Sequence, residues 1–246
     1  MKVVFCTPFL CRPTDPYLAA LEASVPLIEA AGWEHGHSVE VGNPYISAAR
    51  SHMTRKALDV KADVIVYIDY DLSWKPQDLV TLLEAQGDVV AGTYRYKKDD
   101  EEYMGCVETN DASEPLGRTD GCLSMVNVPA GFLKITRAGI NKFMKAYPEL
   151  VFGEPSNPSV DLFNHGAYEG IWYGEDYAFC RRWRAMGERI WLVPNLDISH
   201  HAGDIEFKGN FHKYLGGAPG HTDLMVTPES LDAFLEKHPL PETDGS

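Results

Sequence analysis

The chain has 246 residues, of which 44% are hydrophobic and 24% charged, and its formal net charge is −14. This composition is typical of a globular protein, and the acidic balance argues against broad contact with a nucleic-acid backbone, which depends on Lys and Arg. No apolar stretch reaches the roughly 20 residues that cross a bilayer, and the start of the chain lacks the apolar core of a signal peptide. The five cysteines are scattered without a CxxC pair. We therefore expect no structural zinc site, reduced thiols and a cytoplasmic location.

The first 95 residues alternate between apolar runs and amphipathic segments. The predicted strands cover 2–6, 38–41, 63–68 and 88–93, and the predicted helices cover 16–31, 47–58 and 76–86. Regular alternation of strands and helices indicates a doubly wound, mostly parallel sheet that is flanked by helices. Ligands of such sheets bind at the carboxyl ends of the strands.

The pattern is less regular after residue 95. The charged run at 97–102 is typical of a solvated turn, and two short apolar segments at 103–108 and 122–128 are compatible with an antiparallel pair. The later predicted elements are a strand at 132–135, a helix at 137–147 capped by Thr136, a long loop at 148–172, a helix from Gly174 to about Met186, a last strand at 190–193 and a short helix near 228–237.

Two acids end the most apolar of the predicted strands. The run at 64–68 is followed by Asp69 and Asp71, one residue apart. Their carboxylates are the oxygen ligands that a hard divalent cation prefers. Taken alone, the pattern is equally compatible with a turn that begins at Asp71.

Two further polar groups occur later in the chain. Glu175 and Asp176 open a predicted helix, and His200 and His201 follow the last predicted strand. Acids in the first turn of a helix also stabilise its dipole, so their presence alone does not indicate a site. The functional interpretation depends on the joint order of these groups within one α/β chain.

That order resembles the GT-A glycosyltransferases of the nucleotide-diphospho-sugar transferase superfamily, in particular small viral or bacterial members. The segments that resemble the nucleotide-sugar half are Thr7-Pro8, Asn43–Arg50 and Ile68–Asp71, and those that resemble the acceptor half are Gly174–Cys180, Gly187–Trp191 and His201–Gly203. The resemblance implies a single GT-A domain at 1–203, Rossmann-like with a mostly parallel central sheet and a small antiparallel element. Its two halves would cover about 1–95 and 121–203, and a tail at 204–246 would pack on or near the active site, with a frayed end.

The resemblance also implies a metal site. Mn²⁺ or Mg²⁺ would be held chiefly by Asp71, with Asp69 contacting the metal or the ribose and His201 as the late ligand. His200 would take this role if the register shifts by one residue. An imidazole ligand favours Mn²⁺ over Mg²⁺, because an all-oxygen shell suits Mg²⁺ better.

Asp176 is the general base that the resemblance implies for an inverting enzyme, and Glu175 would hold acceptor hydroxyls or the donor sugar. The two roles are interchangeable at this level, and in a retaining enzyme Asp176 would bind the sugar instead. The residues implied to contact the nucleotide sugar, besides the two aspartates, are Thr7, Pro8, Arg50, Gly131 and Trp172. Arg50 is also compatible with a solvated helical arginine, and Trp172 with a core residue.

The implied function is a metal-dependent hexosyl- or pentosyltransferase that moves a sugar from a nucleotide-diphosphate sugar, most simply a UDP-sugar, to a hydroxyl acceptor. The acceptor would be a glycan, a small molecule or modified DNA, and a viral enzyme would act in the host cytoplasm. One alternative is a phage-type enzyme that glycosylates a hydroxylated DNA base, which the charge of −14 disfavours. Another is a catalytically inactive sugar-nucleotide-binding module. A nucleotidyltransferase would usually carry a Gly-rich, basic loop after strand one, and Cys6–Phe9 is not such a loop.

Overall fold

The computed structural model describes residues 1–217, and Met1–His212 form one compact unit. The short helix predicted near 228–237 and the frayed end lie outside the described residues. The helices are α1 (Asp15–Ala30), α2 (Ile46–Asp59), α3 (Pro76–Glu84), α4 (Arg137–Ala146), α5 (Glu175–Ala185) and α6 (Phe211–Gly217). The strands are β1 (Lys2–Phe9), β2 (Glu34–Val41), β3 (Val64–Ile68), β4 (Leu72–Trp74), β5 (Val89–Ala91), β6 (Cys106–Val107), β7 (Leu123–Asn127), β8 (Phe132–Thr136), β9 (Val151–Glu154), β10 (Asn157–Val160), β11 (Gly166–Tyr168), β12 (Ile171–Tyr173), β13 (Ile190–Leu192), β14 (Asp197–Ala202) and β15 (Ile205–Asn210).

The central sheet has eight strands in the order β2-β1-β3-β8-β5-β13-β7-β6. β1 is parallel to both β2 and β3, and β13 is parallel to β5. β8 lies between β3 and β5 and runs antiparallel to both, and β7 runs antiparallel to β13. Most strands therefore point in one direction, and the predicted α/β class with a mostly parallel sheet is confirmed.

Helices cover both faces of this sheet, because the central strands carry apolar side chains on both sides. All five residues of β3 are buried. Val66 and Ile68 belong to an apolar cluster that includes residues of α1 and α3. Tyr67 points to the other face, where its hydroxyl is 2.6 Å from that of Thr54 in α2. A continuous apolar run is the pattern expected for such a doubly covered strand.

Several local predictions agree with the structure. The segments 103–108 and 122–128 contain β6 and β7, which pair antiparallel. Thr136 caps α4, since its side chain accepts a hydrogen bond from the backbone N–H of Gly139. None of the described helices is long and apolar enough to cross a membrane.

Two predictions on the second half of the chain are wrong. The segment 148–172 is not a continuous loop, because it contains the hairpin β9–β10 and most of the hairpin β11–β12. Glu169 and Gly170 both have positive φ, the backbone conformation of a two-residue hairpin turn. His200 and His201 do not follow the last strand, since they lie in β14, the middle strand of a small antiparallel sheet ordered β15-β14-β4.

Candidate active site

The predicted acids lie at the carboxyl edge of the central sheet, directly after β3. The backbone N–H of Asp69 donates to the carbonyl of Gly131, which immediately precedes β8. Its Oδ1 accepts from Arg50 at 3.0 Å, and its Oδ2 accepts from the hydroxyl of Tyr94, located three residues after β5, at 3.4 Å. Asp69 is therefore held by three different chain segments.

Gly131 is fixed by this close approach. A Cβ at this position would lie 2.2 Å from the Tyr94 hydroxyl and 2.3 Å from Oδ2 of Asp69. Real Cβ atoms do not come so near to other atoms, so a side chain here would displace the carboxylate. In the structure Tyr94 and Asp69 are the neighbours that require a glycine here, and the approach of this backbone to a donor sugar stays a prediction.

Arg50 links the end of β3 to the start of α5. The side chain comes from the first turn and a half of α2, is 2% exposed, and donates to Asp69 with one nitrogen and to Glu175 with the other, the latter at 2.8 Å. Burial alone would lower the pKa of Arg50, but the two carboxylates outweigh it and raise that pKa. The guanidinium also lies over the ring of Phe163, with its central carbon 5.1 Å from the ring centroid. Arg50 is thus a buried ion-pair partner and not a solvated helical arginine.

Asp176 lies beside this pair at the start of α5. Its Oδ1 accepts a hydrogen bond of 2.8 Å from the backbone N–H of Tyr177. Burial, followed by the nearby charge of Glu175, raises the pKa of Asp176 to about 6, although the bond from Tyr177 and the charge of Arg50 act in the opposite direction. A carboxylate with a pKa close to neutrality is suited to accept and release a proton.

The structure brings His200, and not His201, to Asp71. Successive side chains of a strand point to opposite faces, so only one of the two histidines in β14 faces the acids. The Nε2 atom of His200 is 3.6 Å from Oδ2 of Asp71, and the two side chains are 13% and 14% exposed. His201 is directed elsewhere, with its Nε2 atom 2.7 Å from the hydroxyl of Ser73.

The pair formed by Asp71 and His200 fits a divalent cation. The Nδ1 atom of His200 is 2.8 Å from the carbonyl oxygen of Arg95, which is only an acceptor, so Nδ1 carries a hydrogen. Nε2 is then the ring nitrogen that faces the carboxylate of Asp71. Metal-binding histidines commonly make this kind of hydrogen bond through their second nitrogen. No group of three His, Cys, Asp or Glu side chains within residues 1–217 is gathered closely enough to hold a metal.

Lys97, like Tyr94, is a residue of this site that the sequence patterns did not identify. Its ammonium forms an ion pair with Oδ2 of Asp71, the same oxygen that faces His200. Burial would raise the pKa of Asp71, but the hydrogen bonds from His200 and Lys97 outweigh it and lower that pKa. Lys97 belongs to the charged run that was interpreted as a solvated turn, and nothing in that run distinguishes it from Lys98.

The remaining predicted site residues differ in exposure. Thr7 and Pro8 are buried in β1, and the hydroxyl of Thr7 is 2.6 Å from that of Tyr17. Trp172 is 70% exposed on β12, so it is not a core residue. It follows that Trp172 is available for contact with a ligand, whereas the side chain of Thr7 is already engaged.

No protein-family model and no curated protein matches the chain. Among solved structures, it is similar to a mutant of Drosophila beta-1,4-galactosyltransferase 7 in complex with manganese, UDP-Gal and xylobiose, with 15% identity over 94% of this chain and 78% of that chain and a TM-score of 0.45. It is also similar to the inositol-1-phosphate CTP transferase from T. maritima, with 9% identity, coverage of 80% and 88%, and a TM-score of 0.41. A third is a glycosyltransferase involved in the glycosylation of the major capsid of PBCV-1, with 10% identity, coverage of 61% and 68%, and a TM-score of 0.33. Since identities are 15% or lower and TM-scores 0.45 or lower, function has to follow from the residues of the site.

Proposed function

We propose that this chain is a metal-dependent glycosyltransferase that moves a sugar from a nucleotide-diphosphate sugar to a hydroxyl acceptor. The observation that carries the proposal is the bridge made by Arg50 between Asp69 and Glu175. This bridge joins the end of β3 to the start of α5. It therefore supports placing two features in one site: the pair of Asp71 with His200, and Asp176 with its raised pKa. Burial is the main cause of the raised pKa of Tyr94, and the charges of Asp69, Asp176 and Asp71 add to it, which agrees with their convergence around this ring.

The cation side of the site would be formed by Asp71 and His200. A divalent cation bound there would stabilise the charge that develops on the departing nucleoside diphosphate. The mixed oxygen and nitrogen ligands favour Mn²⁺ over Mg²⁺. Asp69 has both carboxylate oxygens engaged by Arg50 and Tyr94, and its proposed role is to orient this edge of the site and to contact the donor.

The proton of the acceptor hydroxyl would pass to Asp176. Its Oδ1 is fixed by the backbone of Tyr177, which leaves Oδ2 as the oxygen that takes the proton. Above a pH of about 6 this carboxylate is ionised and ready to act as a base. Glu175 is held by Arg50 and would position hydroxyl groups rather than transfer protons. The assignment of a base corresponds to an inverting reaction, in which the acceptor attacks the anomeric carbon directly.

Trp172 would supply part of the acceptor or donor surface. It is exposed on β12, three residues before α5 begins, and the apolar face of an indole stacks well on a sugar ring. We propose a UDP-sugar as donor and a glycan or small-molecule hydroxyl as acceptor, because the charge of −14 disfavours DNA.

The test is a panel of UDP-, GDP- and dTDP-sugars with and without Mn²⁺. Ligands that bind the native state raise the midpoint of thermal unfolding, so a shift that requires both nucleotide and Mn²⁺ supports the proposal. Turnover is followed by release of nucleoside diphosphate in the presence of simple glycoside acceptors. The variant Asp71→Ala should abolish both the metal-dependent shift and turnover. Release of pyrophosphate from a nucleoside triphosphate and a sugar phosphate would instead identify a nucleotidyltransferase, and no response to any donor would favour a module without catalysis.

A further inference from the structure

Lys97 occupies a position that a metal ion would need. Its ammonium contacts Oδ2 of Asp71, and the same oxygen faces the Nε2 atom of His200. In the described site a single positive charge thus balances the carboxylate that is proposed to bind the cation. A divalent cation at this oxygen and the ammonium would repel each other, so the two cannot share it.

The position of Lys97 is set by a hairpin turn that we call the charged hairpin, residues 95–103. Arg95 and Tyr103 pair as an isolated bridge at its base, and the backbone N–H of Tyr96 donates to the carbonyl of Glu102. The guanidinium of Arg95 donates to the carbonyls of Lys98 and Asp99, at 3.3 Å and 2.9 Å. These bonds give the turn a defined shape, so the contact of Lys97 with Asp71 is part of a built structure.

The charged hairpin also holds the other candidate ligand. The Nδ1 atom of His200 donates to the carbonyl of Arg95, which fixes the tautomer and the direction of the ring. One segment therefore supplies the ammonium that covers Asp71 and orients the imidazole opposite it. Movement of Lys97 off the carboxylate can leave the base of the hairpin and the contact of His200 in place, since only the lysine side chain has to turn away.

We propose that Lys97 is a built-in cation, which balances Asp71 when no metal is bound and has to leave before a divalent cation binds. This inference rests on the proposed function, because it assumes that Asp71 is a metal ligand. Once displaced, the ammonium would be free to pair with the dense negative charge of a nucleoside diphosphate. Binding of Mn²⁺ alone is then weakened by Lys97, and binding of Mn²⁺ and UDP together is mutually strengthened by it.

The experiment measures the Kd of Mn²⁺ from the electron paramagnetic resonance signal of the free ion, with and without UDP, on the full chain at pH 7.5. Lys97→Met keeps most of the side-chain volume and removes the charge. Lys98→Met is the matched control, because it makes the same change of net charge on the same hairpin, and Lys98 pairs with Glu102 instead of an acid of the site. Without UDP, Lys97→Met should bind Mn²⁺ about tenfold more tightly than the parent. The reason is that Mn²⁺ no longer has to displace the partly exposed ion pair between Lys97 and Asp71. Lys98→Met should stay within roughly twofold of the parent, as for a surface charge.

The second signature is the effect of UDP on the same Kd. UDP should tighten Mn²⁺ binding less in Lys97→Met than in the parent, because the displaced ammonium is missing. Equal Kd values for the parent and Lys97→Met, in a protein whose Mn²⁺ binding is lost in Asp71→Asn, would overturn the role of Lys97 and leave the proposed function intact. If Mn²⁺ binds to none of the variants even with UDP, both the metal site and the role of Lys97 fail.

Discussion

Removal of the Arg50 guanidinium should destabilise the protein by about 3 kcal/mol. In Arg50→Met two carboxylates lose their buried partner, at present 3.0 Å and 2.8 Å away. Each charge-assisted hydrogen bond is worth roughly 1.5–3 kcal/mol, and breaking a buried pair by removing one partner costs about 3–5 kcal/mol. The side chains of Asp69 and Glu175 are 29% and 25% exposed, so water can partly solvate them after the change. The lower end of the range, about 3 kcal/mol, is therefore expected.

Urea unfolding followed by circular dichroism measures this loss, and the thermal midpoint should fall by about 6–12 °C for a domain of this size. Arg50→Lys is the informative control, because an ammonium keeps the charge but cannot make the two-pronged contact, and it should lose about half as much stability. The double variant Arg50→Met with Glu175→Gln should regain part of the loss, since one unpaired carboxylate has been removed. A loss below about 1 kcal/mol in Arg50→Met, the range of exposed ion pairs, would refute the idea that Arg50 is the buried link between the two halves.

Four further predictions concern the acids and their neighbours. Asp176→Asn should stop transfer while donor binding, measured by calorimetry, stays within about twofold of the parent. In the parent, turnover should fall as pH decreases through about 6, because the base becomes protonated. A rate that is constant from pH 5 to 8 would contradict this role. The native pKa of Asp176 is above its unfolded value, so ionisation between about pH 4 and 6 favours unfolding, and Asp176→Asn should raise the free energy of unfolding at pH 7.5 by ~1–3 kcal/mol with little effect below pH 4. His200→Ala should weaken Mn²⁺ binding by about 10–100-fold while His201→Ala leaves it nearly unchanged, and the reverse order in calorimetry would reassign the ligand. Gly131→Ala should displace Asp69 and reduce turnover at least tenfold, and full activity of this variant would show that the loop can shift.

The alternating first part of the fold was predictable because its strands are buried on both faces. A run such as 64–68 is apolar without interruption, and the residues between such runs show helical spacing. What the pattern could not reveal is the position of β8. The segment 132–135 was predicted as a strand, but neither its direction nor its place between β3 and β5 is encoded in its own residues.

The site was predictable in the identity of its acids and less so in their partners. Asp69 and Asp71 follow an unmistakable buried strand, and Glu175 and Asp176 open a clear helix. The choice between His200 and His201 depends on how β14 pairs with β4, which places Ile198 opposite Trp74 and Ser199 opposite Ser73. A register of this kind is a property of two strands in contact, so one sequence segment cannot determine it.

Lys97 and Arg50 illustrate the same limit. Each has a carboxylate partner that is distant in sequence, by 26 positions for Lys97 and by 125 for the pair of Arg50 with Glu175. A lysine in a charged turn and an arginine on a helix are most often solvated, and only the folded chain distinguishes these two. Their importance follows from where the sheet brings them together.

The reversed strand β8 has a consequence for how the chain is made. β3 and β5 are both complete by residue 91, yet the strand that separates and joins them starts only at Phe132. During synthesis from the N-terminus, these two strands therefore emerge with unpaired edges, which are the parts of a sheet most prone to join other chains. A fragment that ends near residue 95 should thus aggregate instead of folding as an independent half, and the loop carrying Gly131 reaches Asp69 only when β8 is inserted between β3 and β5.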